Sequence, residues 1–158
     1  MAMRFMMLVR ANRDTEAGVL PSRELLEVMD VYNEELVKAG VLLAMDGLHS
    51  SAKGTRVTWS GGKPVVTDGP FAEAKELIAG YWLIQVKSKE EAVEWASRAP
   101  FADGGVLEVR QVIEVSDFPA ETVPPETVPP ETVPAETVPT DAAAPEPEIQ
   151  DEPHRKAR

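Results

Sequence analysis

The chain has 158 residues and a formal net charge of −11, but its charges and its 14 prolines are unevenly distributed. Ten of the prolines lie at or beyond Pro119, together with nine of the 27 acidic residues and three of the 16 basic ones. An acidic chain without a basic stripe is not expected to bind nucleic acid directly. The absence of cysteine excludes disulfides and thiol catalysis, and a multi-histidine metal site within one subunit is not expected, because His154, the second of the two histidines, lies in the C-terminal tail.

The sequence also argues against a membrane protein. No apolar run approaches the roughly 20 residues that a membrane-spanning helix needs. The first residues lack an adjoining small-residue cleavage site, so we do not expect a signal peptide. A cytoplasmic location is therefore the default expectation, and no pattern in the chain indicates a cofactor.

The first elements follow from alternation and capping. Residues 3–9 alternate with a period of two, which predicts a strand with at least one buried face. A polar loop is expected up to Ser22, which would cap a helix. Its apolar residues recur at spacings of four, three and four residues: Leu25, Met29, Tyr32 and Leu36. Gly40 fits the end of this helix, and residues 41–45 predict a short buried strand.

A hairpin is expected next. Two extended runs, residues 55–59 and 63–67, flank Ser60-Gly61-Gly62. Two successive glycines between short strands favour a tight turn, because a type I′ turn needs positive φ at both of its central residues.

The second half of the domain repeats the order of strand, helix and strand. Residues 78–86 form an apolar run typical of a strand. Ser88 and Glu91 have the spacing of a capping box, which opens a helix that Pro100 ends. Its expected inward residues are Ala92, Trp95, Ala96 and Ala99. Residues 106–115 alternate and predict the last strand.

This order of elements predicts an α+β fold. Two helices against one face of a largely antiparallel sheet give a ferredoxin-like sandwich. The other face, carrying residues such as Tyr81 or Trp82, would then need a cover. Homodimerisation through the two open faces is a simple solution, so a homodimer is expected.

The C-terminal part differs in kind. Residues 120–139 repeat a five-residue unit ending in Glu-Thr-Val-Pro, and one valine in five residues cannot build a core. We therefore predict a domain over residues 1–118 and a disordered, extended tail over residues 119–158. A docking tail for a protein partner is the alternative.

One short motif combines turn chemistry with acidic residues. Asp68-Gly69-Pro70-Phe71 resembles a turn leading into a helical turn, in which Asp68 would accept the Phe71 N–H. On this interpretation the motif needs no catalytic role.

The motif also carries a resemblance to a known family. Residues 66–76, with residues 78–82, 90–96 and 107–112, resemble the DGPF group of YCII-related proteins. The resemblance covers residues 3–115 and implies a ferredoxin-like subunit in a dimeric α+β barrel. It also implies a pocket with a His–Asp pair suspected of acid/base chemistry, or a regulatory role beside a sigma factor. This chain has Arg10 or Asn12 where the family histidine usually lies.

Six residues are the candidates for a site that binds an unidentified small molecule. Asp68 matches the motif aspartate, and His49 is the domain's one histidine. A neutral imidazole oriented by a carboxylate can act as a general base near neutral pH, so we take this pair as the catalytic candidates. The candidates for substrate binding are Arg10, Phe71, Glu108 and Arg110.

Each candidate also has a simpler structural interpretation. His49 fits an exposed loop, and Asp68 fits a turn cap. Glu108 and Arg110 lie on one strand face, where they would pair with each other. Three functions therefore stay open: a small-molecule enzyme that transfers protons, a ligand-binding or regulatory module, and a stable scaffold without chemistry.

Overall fold

A computed structural model describes residues 1–73 and 76–122. The strands are β1 (Met3–Arg10), β2 (Leu42–Gly47), β3 (Thr55–Ser60), β4 (Lys63–Asp68), β5 (Ile78–Val86) and β6 (Leu107–Gln111), and the helices are α1 (Arg13–Glu16), α2 (Arg23–Lys38) and α3 (Lys89–Ser97). Single 3₁₀ turns cover Ser51–Lys53, Val115–Asp117 and Ala120–Thr122. The chain divides into two units, Met1–Asp117 and Phe118–Arg158, and the described strands all lie in the first. The predicted tail of Glu-Thr-Val-Pro repeats falls largely on residues 123–158, outside the described residues, and stays a prediction.

The main sheet has four strands in the order β2-β5-β1-β6, and its neighbouring strands are antiparallel. This arrangement, with its helices, confirms the predicted α+β fold of ferredoxin-like type. The hairpin of β3 and β4 forms a separate two-stranded sheet. Gly61 and Gly62 have φ values of 59° and 76°, which confirms the predicted turn.

The core lies between the helices and one face of the main sheet. Its fully buried side chains include Phe5 and Met7 of β1, Leu36 of α2 and Ile84 of β5. Of the predicted inward residues of the two helices, all but Leu25 belong to this core, with Tyr32 and Ala92 buried and Trp95 partly buried, whereas Leu25 is 38% exposed. Trp82 is also in this core at 6% exposure, so its assignment to the open face was wrong. The cause is the largely apolar sequence of β5, in which alternation does not distinguish the two faces around Trp82.

The helix ends follow their predicted caps, with one difference. The Ser22 hydroxyl accepts the Leu25 N–H at 3.2 Å, and Gly40 has a φ of 69° after α2. The Ser88 hydroxyl accepts the Glu91 N–H at 3.1 Å, as expected. The Glu91 carboxylate, however, accepts the N–H of Lys87 at 2.8 Å, one residue before the predicted partner.

Two elements differ from the sequence prediction. The expected polar loop after β1 contains the one-turn helix α1, held by a reciprocal cap in which Asn12 and Thr15 each accept the other's backbone N–H. The last strand ends at Gln111 instead of residue 115, and a 3₁₀ turn at Val115–Asp117 follows.

Candidate functional site

A cavity of about 900 Å³ lies between α2, β2, β5 and the loop of residues 100–106. We call it the α2 cavity. Most of its lining side chains are apolar, including Val9, Pro21, Leu25, Leu26, Met29, Met45, Trp82, Pro100, Phe101 and Val106. It lies on the helix-covered side of the sheet, because Met45 and Trp82 are paired neighbours and Trp82 belongs to the core.

Two glycines leave part of the cavity wall without side chains. Gly47 and Gly80 are directly opposite each other on β2 and β5, and both border the cavity. A Cβ on Gly80 would lie 2.9 Å from the carbonyl oxygen of Asp46, whereas a Cβ on Gly47 would meet no atom within 4 Å. The cavity therefore has open space above Gly47, and Gly80 permits close approach of the two strands.

The aromatic part of the wall is centred on Trp82. Its ring meets those of Tyr32 and Phe101 edge to face, with centroid distances of 5.7 and 6.2 Å. Its indole N–H donates to Oδ1 of Asn33 at 2.9 Å. The buried indole thus has a hydrogen-bond partner, and the ring orientation is fixed from two sides.

Tyr32 is a structural neighbour of this wall. Its hydroxyl donates to the backbone oxygen of Trp95 at 2.8 Å. Burial raises the pKa of Tyr32 to about 12, an effect increased by the charge of Glu35 and opposed by that of Arg98. The phenol is therefore protonated at neutral pH and ties α2 to α3.

The mouth of the cavity carries exposed charges. Arg13 and Asp14 of α1 and Asp103 of the 100–106 loop border it. None of these three side chains has an ion pair or a side-chain hydrogen bond within residues 1–73 and 76–122.

Three of the predicted binding residues come together on the opposite, open face of the sheet. Glu108 accepts hydrogen bonds from Arg10 at 2.5 Å and from Arg110 at 3.1 Å. Arg10 also donates to the backbone oxygen of Glu76 at 3.1 Å. The hydrogen bonds from Arg110 and Arg10 hold the pKa of Glu108 below its usual range. Of the three, only Arg10 also borders the α2 cavity.

The DGPF motif is anchored to the 3₁₀ turn at Ser51–Lys53. The Phe71 N–H donates to the Ser51 hydroxyl at 3.0 Å, so the predicted cap by Asp68 is wrong. Asp68 instead accepts the Thr55 hydroxyl at 2.9 Å. Gly69 passes so close to this turn that a Cβ would lie 1.7 Å from the Ser51 carbonyl oxygen. The helical turn expected after the motif includes residues 74–75, which lie outside the described residues.

The remaining predicted residues lie apart from the cavity lining. His49 is exposed in the loop after β2, and no hydrogen bond joins it to Asp68. The ring of Phe71 lies under the guanidinium of Arg56, at 3.8 Å from the centroid. The catalytic roles of His49 and Asp68 and the binding role of Phe71 stay predictions.

The residues that shape the cavity were missed by sequence reasoning. Asn33 follows Tyr32 on the inward side of α2, and a polar residue beside an apolar stripe is a weak signal. Gly47 was part of a strand end, and Phe101 was part of a loop. Gly47 and Gly80 indicate a cavity wall without side chains only when the pairing of β2 with β5 is known.

The described residues contain no group of three His, Asp or Glu side chains that could hold a metal ion. No helix among them is long and apolar enough to cross a membrane.

The fold is that of an α+β protein of ferredoxin-like type with a ligand-sized cavity under its longest described helix. The profile of the YCII-related domain matches residues 3–116, and the chain belongs to this family. An uncharacterized protein of Rhizobium meliloti (strain 1021) is 34% identical over 68 residues, which is 43% of this chain and 55% of that protein. The match therefore spans about half the length of that relative.

Proposed function

We propose that this protein is a homodimer that binds a small organic molecule in the α2 cavity of each subunit. The observation that carries the binding function is the cavity itself, with a volume of about 900 Å³. Binding sites for small molecules typically occupy about 300–1,000 Å³ and combine an apolar lining with a few placed polar groups. The α2 cavity has both properties.

The geometry supports binding more directly than catalysis. Asp68 accepts a hydrogen bond from the Thr55 hydroxyl, and His49 is exposed. Neither Asp68 nor His49 borders the α2 cavity. A general acid or base must come within about 3 Å of the atom it serves, directly or through one water. The proposal is therefore a ligand-binding module of the DGPF group, and acid/base chemistry by Asp68 with His49 is the alternative.

The homodimer is supported by the open face of the main sheet. The cross-strand pairs Met6–Leu83 and Leu8–Tyr81 lie on this face, opposite the core. An apolar patch of this kind on one face of a sheet is a typical site of association between subunits.

The binding function is tested by filling the cavity. Gly47→Leu places a side chain in the open space above the strand, and Ser60→Leu adds the same side chain at an exposed position of β3 outside the cavity lining. A thermal-shift screen of metabolites should find ligands that raise the Tm of the wild type and of Ser60→Leu. Those ligands should not stabilise Gly47→Leu. Equal stabilisation of all three proteins would overturn the assignment of this cavity.

The homodimer is tested by placing a charge on the open face. Leu83→Glu should shift the sedimentation of the protein from dimer to monomer, because a buried carboxylate without a partner is costly. Val31→Glu introduces the same charge on the exposed side of α2, where Val31 is 59% exposed, and should leave the dimer intact. A monomeric wild type, or a dimeric Leu83→Glu, would contradict this part of the proposal.

A further inference from the structure

We infer that the ligand of the α2 cavity is an uncharged, largely apolar molecule with a carbonyl oxygen that accepts a hydrogen bond from the side-chain amide of Asn33. This inference rests on the proposed binding function and adds the chemical class of the ligand. Three properties of the cavity support it: the orientation of one amide, the charges at its mouth and the aromatic part of its wall.

The orientation of the Asn33 amide follows from its partner. An indole N–H can only donate, so the atom that faces Trp82 Nε1 at 2.9 Å is the amide oxygen. The Nδ2 group of Asn33 therefore turns away from the indole, and it donates no hydrogen bond to any other residue in the described ranges 1–73 and 76–122. Asn33 borders the cavity. Asn33 also borders a smaller cavity lined by Asp30 and Val37, so the amide offers a donor to the ligand when Nδ2 is turned toward the α2 cavity, and the ligand then needs an acceptor to match it.

The other polar side chains around the cavity do not favour an anion. The mouth carries one guanidinium, from Arg13, and two carboxylates, from Asp14 and Asp103. Arg10 is already paired with Glu108. A carboxylate ligand would meet a net negative mouth and would lose its hydration in an apolar cavity. The net negative mouth would attract an ammonium ligand, but in the apolar cavity such a ligand would lose its hydration and would bring donors to the Asn33 amide, which presents donors itself.

The wall also favours a ligand with aromatic or other flat apolar parts. Trp82 and Phe101 meet edge to face at 6.2 Å, and Leu25, Met29 and Met45 add flexible apolar surface. Aromatic rings pack well against such edges, with gains beyond the area that they bury. The ligand therefore needs one hydrogen-bond acceptor and a large apolar surface.

A matched pair of probes tests the role of the carbonyl. Benzophenone and diphenylmethane differ by a carbonyl in place of a methylene, and equilibrium dialysis of the full chain at about pH 8 measures both. One net hydrogen bond predicts that benzophenone binds roughly 2- to 10-fold more tightly. Benzhydrylamine, which is similar in shape but a donor, should bind more weakly than benzophenone. Equal affinities for benzophenone and diphenylmethane, or stronger binding of the amine, would overturn the inference.

Asn33→Asp tests the residue. The new carboxylate can still accept the Trp82 indole N–H, but it has no N–H to give to a ligand. We expect the preference for benzophenone over diphenylmethane to disappear, so that the two dissociation constants differ by a factor of about 1. The NMR signal of the Trp82 indole proton should show that its hydrogen bond is retained. A preference that survives in this variant would show that Asn33 does not bind the carbonyl.

Gly47→Leu distinguishes a failure of the inferred ligand class from a failure of the proposed binding function. If it abolishes binding of both probes while the wild type does not distinguish them, the cavity is the site and the inferred ligand class is wrong. If both probes bind Gly47→Leu as they bind the wild type, the proposed function itself fails. A wild type that binds neither probe up to its solubility limit also counts against the inferred class. The comparison of probes on the wild type does not depend on the folding of any variant.

Discussion

The indole N–H of Trp82 donates to Oδ1 of Asn33 at 2.9 Å, and this bond joins an inner strand of the sheet to α2 at the wall of the cavity. Both residues border the α2 cavity, and Trp82 is only 6% exposed. The bond therefore has a structural role in addition to the one inferred for the ligand. It fixes the distance between the sheet and the helix at the wall of the cavity.

Trp82→Phe should lower the stability of the fold. The change removes the donor to Asn33 and part of the buried ring, and a partly buried polar group left without its partner costs about 1–3 kcal/mol. Chemical denaturation would measure the loss. Trp59→Phe is the matched control, because Trp59 is 74% exposed on the hairpin, and its effect should stay within about 0.5 kcal/mol. Similar losses in both variants would contradict the importance of the Trp82 environment.

Gly69→Ala should destabilise the protein strongly. The added Cβ would lie 1.7 Å from the carbonyl oxygen of Ser51, which is backbone and cannot rotate away. We expect a loss of about 1–3 kcal/mol from this overpacking, measured by thermal or chemical unfolding. Gly47→Ala is the control, because its Cβ meets no atom within 4 Å. A neutral Gly69→Ala would show that the motif does not pack against the Ser51 turn as described.

The ion pairs of Glu108 predict a dependence of stability on pH. Hydrogen bonds from Arg110 and Arg10 lower the pKa of Glu108 in the folded state, so the folded protein binds this proton less readily than the unfolded chain does. The resulting stabilisation is present above the usual glutamate pKa of about 4.3 and is lost as the pH falls through the lower folded value. Glu108→Gln should therefore be less stable than the wild type at neutral pH.

The difference between these two proteins should shrink below about pH 4.3, as Glu108 of the wild type takes up its proton. Urea unfolding at several pH values measures it. Glu27→Gln is a suitable control, because Glu27 is exposed and its partner Arg23 is 88% exposed at the side chain. A difference between Glu108→Gln and wild type that does not change with pH would refute the linkage.

The two tyrosines predict an alkaline transition. Burial raises the pKa of Tyr32 to about 12, and the hydrogen bond to Asp46 raises that of Tyr81. Since both folded values exceed the usual one of about 10, the associated stabilisation is present below pH 10 and is lost as the pH rises further. In Tyr81→Phe, absorbance titration should show one tyrosinate that forms near pH 12 or at unfolding. Titration near pH 10 would mean that Tyr32 is not buried as described.

Much of the fold could be predicted because its signals are local. The N-caps at Ser22 and Ser88 and the glycines of the hairpin act within a few residues, and all are present in the structure. The order of the elements predicted the ferredoxin-like sandwich, and the family resemblance implied the same subunit fold. The short helix α1 was missed because its cap, formed by Asn12 and Thr15, lies within a stretch that is polar throughout.

The site was harder to predict because it depends on contacts between distant residues. The Phe71 N–H bonds to Ser51, which lies 20 residues earlier, so a local capping rule chose the wrong acceptor. Gly47 and Gly80 come together only through the pairing of β2 with β5. The sequence placed Arg10, Glu108 and Arg110 in one candidate group and expected Glu108 to pair with Arg110, but it could not place the cavity on the other face of the sheet.

The four-residue helix α1 has a consequence for how the molecule moves. Arg13 and Asp14 form part of the cavity mouth, while Glu16 at the other end accepts the N–H and the hydroxyl of Ser51. A single helical turn is too short to bend within itself, so a displacement at one end is passed to the other. Helix α1 therefore couples the cavity mouth to the DGPF motif. Hydrogen exchange at the Ser51 amide should report on whether the cavity is filled, although Ser51 does not border it.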